Sequence, residues 1–120
     1  FGTIAIDNIT DNVSLNIRNN GSFNANANTF VIDPPTRGEF LLTGGPASTT
    51  YTVTTPVSTT LGGPGPATFF MDNFRVRPNS LVTNGSGTDT FRIMARITST
   101  SGDSFGDGDY DDTFNITVNF

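Results

Sequence analysis

The sequence has 120 residues in which Thr (20), Asn (13) and Gly (13) dominate, and it contains no Lys, His, Cys or Trp. Eleven acids against six Arg give a net charge of -5 and a calculated pI near 4.2, which excludes nucleic acid as a partner because phosphate neutralisation needs basic clusters. Without His or Cys there is no histidine-based triad, thiolate nucleophile or ordinary zinc site, and no apolar run approaches the roughly 18 residues of a spanning helix.

The length suits one domain, expected to span residues 1–120. Thr favours strands, and Asn and Gly favour reversals. Ile4 and Ile6 alternate in the first strand, and Val13, Leu15 and Ile17 in the second, before a turn at Asn19-Asn20-Gly21. Residues 22–28 are polar apart from Phe23. Thr29 to Ile32 reads as a short strand closed by Asp33-Pro34-Pro35, because proline cannot donate to a ladder. Phe40–Thr43 and Thr50–Thr55 read as a hairpin around Gly44-Gly45-Pro46.

Pro56–Pro66 reads as a long connection crossing between sheets. Thr68 to Val76 carries Phe69, Phe70, Met71, Phe74 and Val76, and its alternation slips at Asp72-Asn73, as a bulge or a bend between two strands would make it. After a turn at Asn84-Gly85-Ser86-Gly87, Thr90–Thr98 is the clearest strand, with Phe91, Ile93, Ala95 and Ile97 inward and Arg92, Met94, Arg96 and Thr98 outward. Residues 99–109 read as a polar loop, and a last strand runs from about Asp112 to Phe120 with Phe114, Ile116, Val118 and Phe120 on one face. About eight short strands with Gly/Pro turns and no helical period predict an all-β antiparallel sandwich. Its expected core includes Phe91, Ile93, Ile97, Phe114, Ile116 and Val118.

Carboxylate-only hydrolysis needs two acids converging across a cleft. The acids sit mostly in turns, and Glu39 and Asp72 read as ordinary strand carboxylates, so we expect no enzyme and no cofactor. The densest acidic stretch holds Asp103, Asp107, Asp109, Asp111 and Asp112. Within it Asp107, Asp109 and Asp111 alternate like the start of a calcium loop, but the Gly at position six and the Glu at twelve are missing; they are weak calcium candidates beside the plainer reading of a solvated loop. Arg92 and Arg96, with Arg75 and Arg77 flanking Val76, are expected to meet Asp111 or Asp112 across a ladder. Asn-x-Ser/Thr tripeptides at Asn8, Asn12, Asn20, Asn84 and Asn115 are compositional. A competing class is a monomeric carbohydrate- or ligand-binding surface module, which would use exposed aromatics chosen from Tyr51, Tyr110, Phe23, Phe69 and Phe105, with Phe105 the best contact candidate.

The ending from Gly108-Asp109-Tyr110-Asp111-Asp112-Thr113-Phe114 through Ile116, Val118 and Phe120 resembles that of bacterial fimbrial subunits, and more narrowly the domain of unknown function related to spore coat U and archaic chaperone-usher pilins. Phe1-Gly2-Thr3-Ile4, Phe40-x-x-Thr43-Gly44 with Thr50-Tyr51-Thr52-Val53, and Met71-x-x-Phe74 match further short patterns of that family. The resemblance implies an immunoglobulin-like sandwich that lacks its last strand and is completed by a donor strand from a neighbour. It also implies a periplasmic chaperone, an outer-membrane usher and identical or related subunits as partners, and a place in an extracellular fibre on the cell surface supporting adhesion or biofilm. Two departures are the absent cysteine pair of many such pilins and the absence before Phe1 of the additional alternating segment that relatives carry. The subunit groove that the resemblance implies is expected to be lined by residues of the first and last strands, Ile4, Ile6, Phe114, Ile116, Val118 and Phe120, where an added strand would complete the ladder.

Overall fold

Where apolar and polar residues alternate, the chain forms strands. The structure, a computed structural model, describes residues 2–7, 12–99 and 104–120; Phe1, Asn8 and Asp103, named above, lie outside them. Ten strands follow in order: β1 (Thr3–Ile6), β2 (Ser14–Ile17), β3 (Phe23–Ala25), β4 (Thr29–Asp33), β5 (Gly38–Leu42), β6 (Thr52–Thr54), β7 (Ser58–Leu61), β8 (Phe69–Arg77), β9 (Asp89–Ser99) and β10 (Thr117–Asn119). Every ladder between them is antiparallel, and no helix occurs among the described residues. The fold is all-β and sandwich-like.

The large sheet runs β3-β2-β9-β8-β7, with β5 also on β9. Strand β9 organises it. β5 pairs with its first half (Phe40 opposite Phe91), β2 with its second half (Leu15 opposite Ile97), and β8 with most of the other edge. Two smaller ladders, β1-β4 and β10-β6, form the facing layer. Ile4, Ile6 and Val31 pack on a cluster of Val13, Leu15, Leu61, Phe69, Met71, Ala95 and Ile97, whereas Val53 and Val118 pack on Tyr51, Leu81, Phe91 and Ile93. Phe74 touches both clusters, so the core is continuous along a body of 52 × 24 × 19 Å.

The slip at Asp72-Asn73 is a bulge inside one strand. Asp72 opposes Arg96 and Arg75 opposes Met94, so Asn73 and Phe74 together face Ala95. Asn73 takes φ 49°, a left-handed conformation that asparagine tolerates better than most residues. The extra residue keeps Met71 and Phe74 both on the core side, although three positions separate them.

Several expectations need correction. Phe40–Thr43 and Thr50–Thr55 do not form a hairpin: β5 joins β9 and β6 joins β10. Between them Gly44 takes φ 75° and the Gly45 amide donates to the Gly87 carbonyl, which carries the chain from one layer to the other. A Cβ at Gly87 (φ 70°) would lie 1.9 Å from the Gly45 carbonyl oxygen, so this crossing requires glycine. The last strand is only Thr117–Asn119, because continuing its register past Thr117 opposite Thr54 brings Asn115 to Pro56, which has no N–H. β7 lies inside the stretch read as connection. Phe91, Ile93 and Ile97 are buried as expected, while Phe114, Ile116 and Val118 are half-buried at the edges of the clusters. Met94, expected outward, is 1% exposed. Its cross-strand neighbour Arg75 reaches over β9 to bond Asn16 Oδ1 at 2.8 Å and the Ile17 carbonyl at 2.7 Å, and the arginine stem provides the cover.

Arg92 and Arg96 do not meet Asp111 or Asp112. Arg92 bonds Glu39 at 3.0 Å, and Arg96 grips both oxygens of Asp72 at 2.8 and 2.7 Å. The Arg96 hydrogen bond holds the Asp72 carboxyl below its ordinary range, so this contribution to stability is present at neutral pH and lost as pH falls through the lowered value.

Tyr51 gives a test of the second cluster. It is 3% exposed and its hydroxyl donates to Asp89 Oδ2 at 2.9 Å. Burial first, then the hydrogen bond and the charge of Asp89, push the phenol from 10.0 up to about 12. The folded state holds this proton more tightly than the unfolded chain, so the stabilisation is complete below pH 10.0 and disappears as pH rises toward 12. The denaturant midpoint of the wild type should fall across that interval more steeply than that of Tyr51→Phe; parallel slopes would refute the assignment.

Candidate functional site

A cleft of about 1060 Å³ lies beside the first strand. Its floor is the first core cluster, with Leu15, Leu61, Phe69, Met71 and Ile97 contributing, and one wall is β1 with Ile4 and Ile6. The other wall is Phe105–Asp112.

Each wall stands for a local reason. β1 is held along one edge by β4, with Ile4 opposite Val31 and Ile6 opposite Thr29, and among the described residues no strand pairs with its other edge. The second wall is pinned by an aromatic group: Phe105 stacks on Phe69 with centroids 4.7 Å apart, and Tyr110 meets Phe69 edge-on at 4.8 Å. The Tyr110 hydroxyl donates to the Pro64 carbonyl at 2.6 Å and accepts from the Gly106 amide at 3.1 Å. Its ring lies flat against Gly63, where a Cβ would come within 2.3 Å of it. Gly62 and Asp111 exchange two backbone bonds, at 3.1 and 3.0 Å. Beyond them, residues 112–116 make no backbone hydrogen bond to another described segment. The cleft therefore has an apolar floor beside the unpaired edge of β1, and an unpaired edge is where an extended segment can add to a sheet.

The six expected groove residues do not converge. Ile4 and Ile6 line the cleft, and Phe114 stands behind its wall against Phe74, at 5.0 Å between centroids. Ile116, Val118 and Phe120 belong to the other half of the molecule, on the second cluster; Phe120 packs on Tyr51 at 5.8 Å. The even alternation of the ending carries no sign of the change of partner after residue 116, which is why one face was assigned to one groove. The floor residues were visible as core, but what made them a floor, the spacing between β1 and residues 105–112, has no sequence signal.

Asp107, Asp109 and Asp111 are exposed and line the rim of the cleft. No group of three or more acids is placed to hold a metal ion among the described residues. Asp112 accepts a hydrogen bond from the Thr59 hydroxyl, which lowers its carboxyl pKa. Of the aromatic candidates, Phe105 stacks one face on Phe69 and lines the cleft half-buried with Tyr110, Tyr51 and Phe69 are buried, and Phe23 is exposed on β3.

No curated protein and no solved structure matches the chain. The chain belongs to the DUF4402 family, a domain of unknown function, which matches it over residues 1–120.

Proposed function

We propose that this member of a family without an assigned role is a structural subunit of an extracellular bacterial fibre, in which the cleft accepts an extended segment from a neighbouring subunit. The observation that carries the reading is the cleft itself: a space of about 1060 Å³ with an apolar floor, bounded by a strand that has one edge unpaired among the described residues. An incoming strand would pair with β1 while its alternate side chains meet Leu15, Met71 and Ile97. Each large apolar side chain buried this way contributes about 1.5 to 3 kcal/mol. The sequence resemblance to fimbrial subunits supports the same reading, and with it the proposed periplasmic chaperone, usher and cell-surface location. The groove residues proposed for this role are Ile4, Ile6, Leu15, Leu61, Phe69, Met71 and Ile97, in place of the chain's last residues.

Ile6→Asp tests it in cells that assemble the full chain. The substitution puts a carboxylate on the wall of the cleft at a half-buried position. Fibres seen by electron microscopy should disappear while the purified variant keeps its β-sheet circular dichroism. Normal fibres from the folded variant, or no fibres from the wild type, would overturn the proposal.

A further inference from the structure

The chain's six arginines stand on one face. Phe91, Ile93, Ala95 and Ile97 point into the core, so Arg92 and Arg96 point away from it. Phe74 and Val76 pack on the clusters, which turns Arg75 and Arg77 outward. The same alternation puts Arg18 with Asn16 after the buried Leu15 and Ile17, and Arg37 with Glu39 before Phe40. Only Glu39 and Asp72 form ion pairs with this set among the described residues. Six guanidiniums against two carboxylates leave four positive charges in excess on the outer face of the large sheet, in a chain whose net charge is -5.

One pairing on this face is left uneven. Arg77 and Arg92 are direct cross-strand partners, a like-charge juxtaposition that destabilises a ladder, and Glu39 answers only Arg92, so among the described residues Arg77 has no carboxylate of its own.

Asp107, Asp109, Asp111 and Asp112 are all exposed along the second wall of the cleft, on the segment that bridges to Gly62 beyond β7. Among the described residues no ion pair joins any arginine of the basic face to Asp107, Asp109, Asp111 or Asp112, so the two sets are not neutralised by direct contact within one molecule.

We infer that the basic outer face of the large sheet docks the acidic segment Asp107–Asp112 of a second copy of this chain. A long polyanion is disfavoured by the net negative field of the molecule, whereas four carboxylates from a copy match the four surplus cations. The contact is heterologous: each copy keeps one free basic face and one free acidic segment, so copies add head to tail. This inference does not rest on strand donation, and it would act between subunits whether or not the cleft is filled.

Sedimentation and light scattering of the full chain test it, with reciprocal charge reversals that avoid the embedded Arg75. The wild type should self-associate at low ionic strength and dissociate in about 1 M salt, where screening falls to about 3 Å. Arg18→Glu/Arg77→Glu and Asp107→Arg/Asp109→Arg should each weaken self-association at least tenfold. An equimolar mixture of the two variants should recover it, since each then offers one intact surface. Circular dichroism melts check folding, and Arg77→Gln alone serves if the double reversal does not fold. Absence of salt-sensitive association in the wild type, association unchanged by either reversal, or a mixture that fails to recover it would overturn the inference. Tight binding of polygalacturonate by wild-type chains that do not self-associate would instead assign the face to an anionic polymer.

Discussion

Replacing Phe91 with Ala should cost about 3 to 5 kcal/mol of folding stability. The side chain is 2% exposed, stacks on Phe40 with centroids 5.3 Å apart and meets Tyr51 at 6.3 Å in an edge arrangement. It sits where β5 and β9 pair and where the facing β6-β10 ladder rests on the large sheet, so truncation leaves a cavity bounded by three elements. No neighbour is free to fill it: Tyr51 is tied to Asp89 and Phe40 is fixed opposite Phe91 in the ladder. The denaturant midpoint should fall with the slope unchanged. A loss under about 1 kcal/mol, the centre of the range for ordinary point mutants, would mean that this half of the core is not packed as described.

The largest stabilisation should come from filling the cleft. A synthetic extended peptide with apolar residues at alternate positions, supplied at about 100 times its Kd, should raise stability by about 2.7 kcal/mol, a shift of roughly 10 °C for a chain this small. Backbone pairing along β1 fixes the direction of the peptide and the alternate side chains fix its register. The same peptide with Asp at the apolar positions should give no shift, because the floor of Leu15, Met71 and Ile97 offers no partner for a charge. Equal shifts from both peptides, or from neither, would remove the cleft from the account.

Much of the scaffold is legible in the sequence because one face of each strand is buried. β9 was expected over Thr90–Thr98 and spans Asp89–Ser99; the turns at Asn19-Asn20-Gly21 and Asn84–Gly87 stand where asparagine and glycine permit reversal, with Gly21 at φ 84° and Gly87 at φ 70°. Pairing was not legible. The supposed hairpin of Phe40–Thr43 with Thr50–Thr55 failed because periodicity shows which face is buried and says nothing of which strand lies beside it. Met94 was misplaced for a related reason, since its cover is an arginine stem arriving from β8. β3 and β7 were missed because Phe23-Asn24-Ala25 and Ser58-Thr59-Thr60-Leu61 have too few apolar residues to declare a face. At the cleft, Ile4 and Ile6 were foreseen from their alternation, while Leu15, Met71 and Ile97 could be seen only as core until the gap above them was known.

The central claim is that a neighbour's segment occupies the cleft beside β1. A density map of the assembled fibre, or of a crystal containing assembled subunits, tests it most directly. The account predicts an extended segment from an adjacent subunit, hydrogen-bonded to the free edge of Thr3–Ile6 and placing alternate side chains over Leu15, Met71 and Ile97. A fibre in which the cleft stays empty, or in which subunits meet without any ladder crossing from one chain to the next, would contradict it.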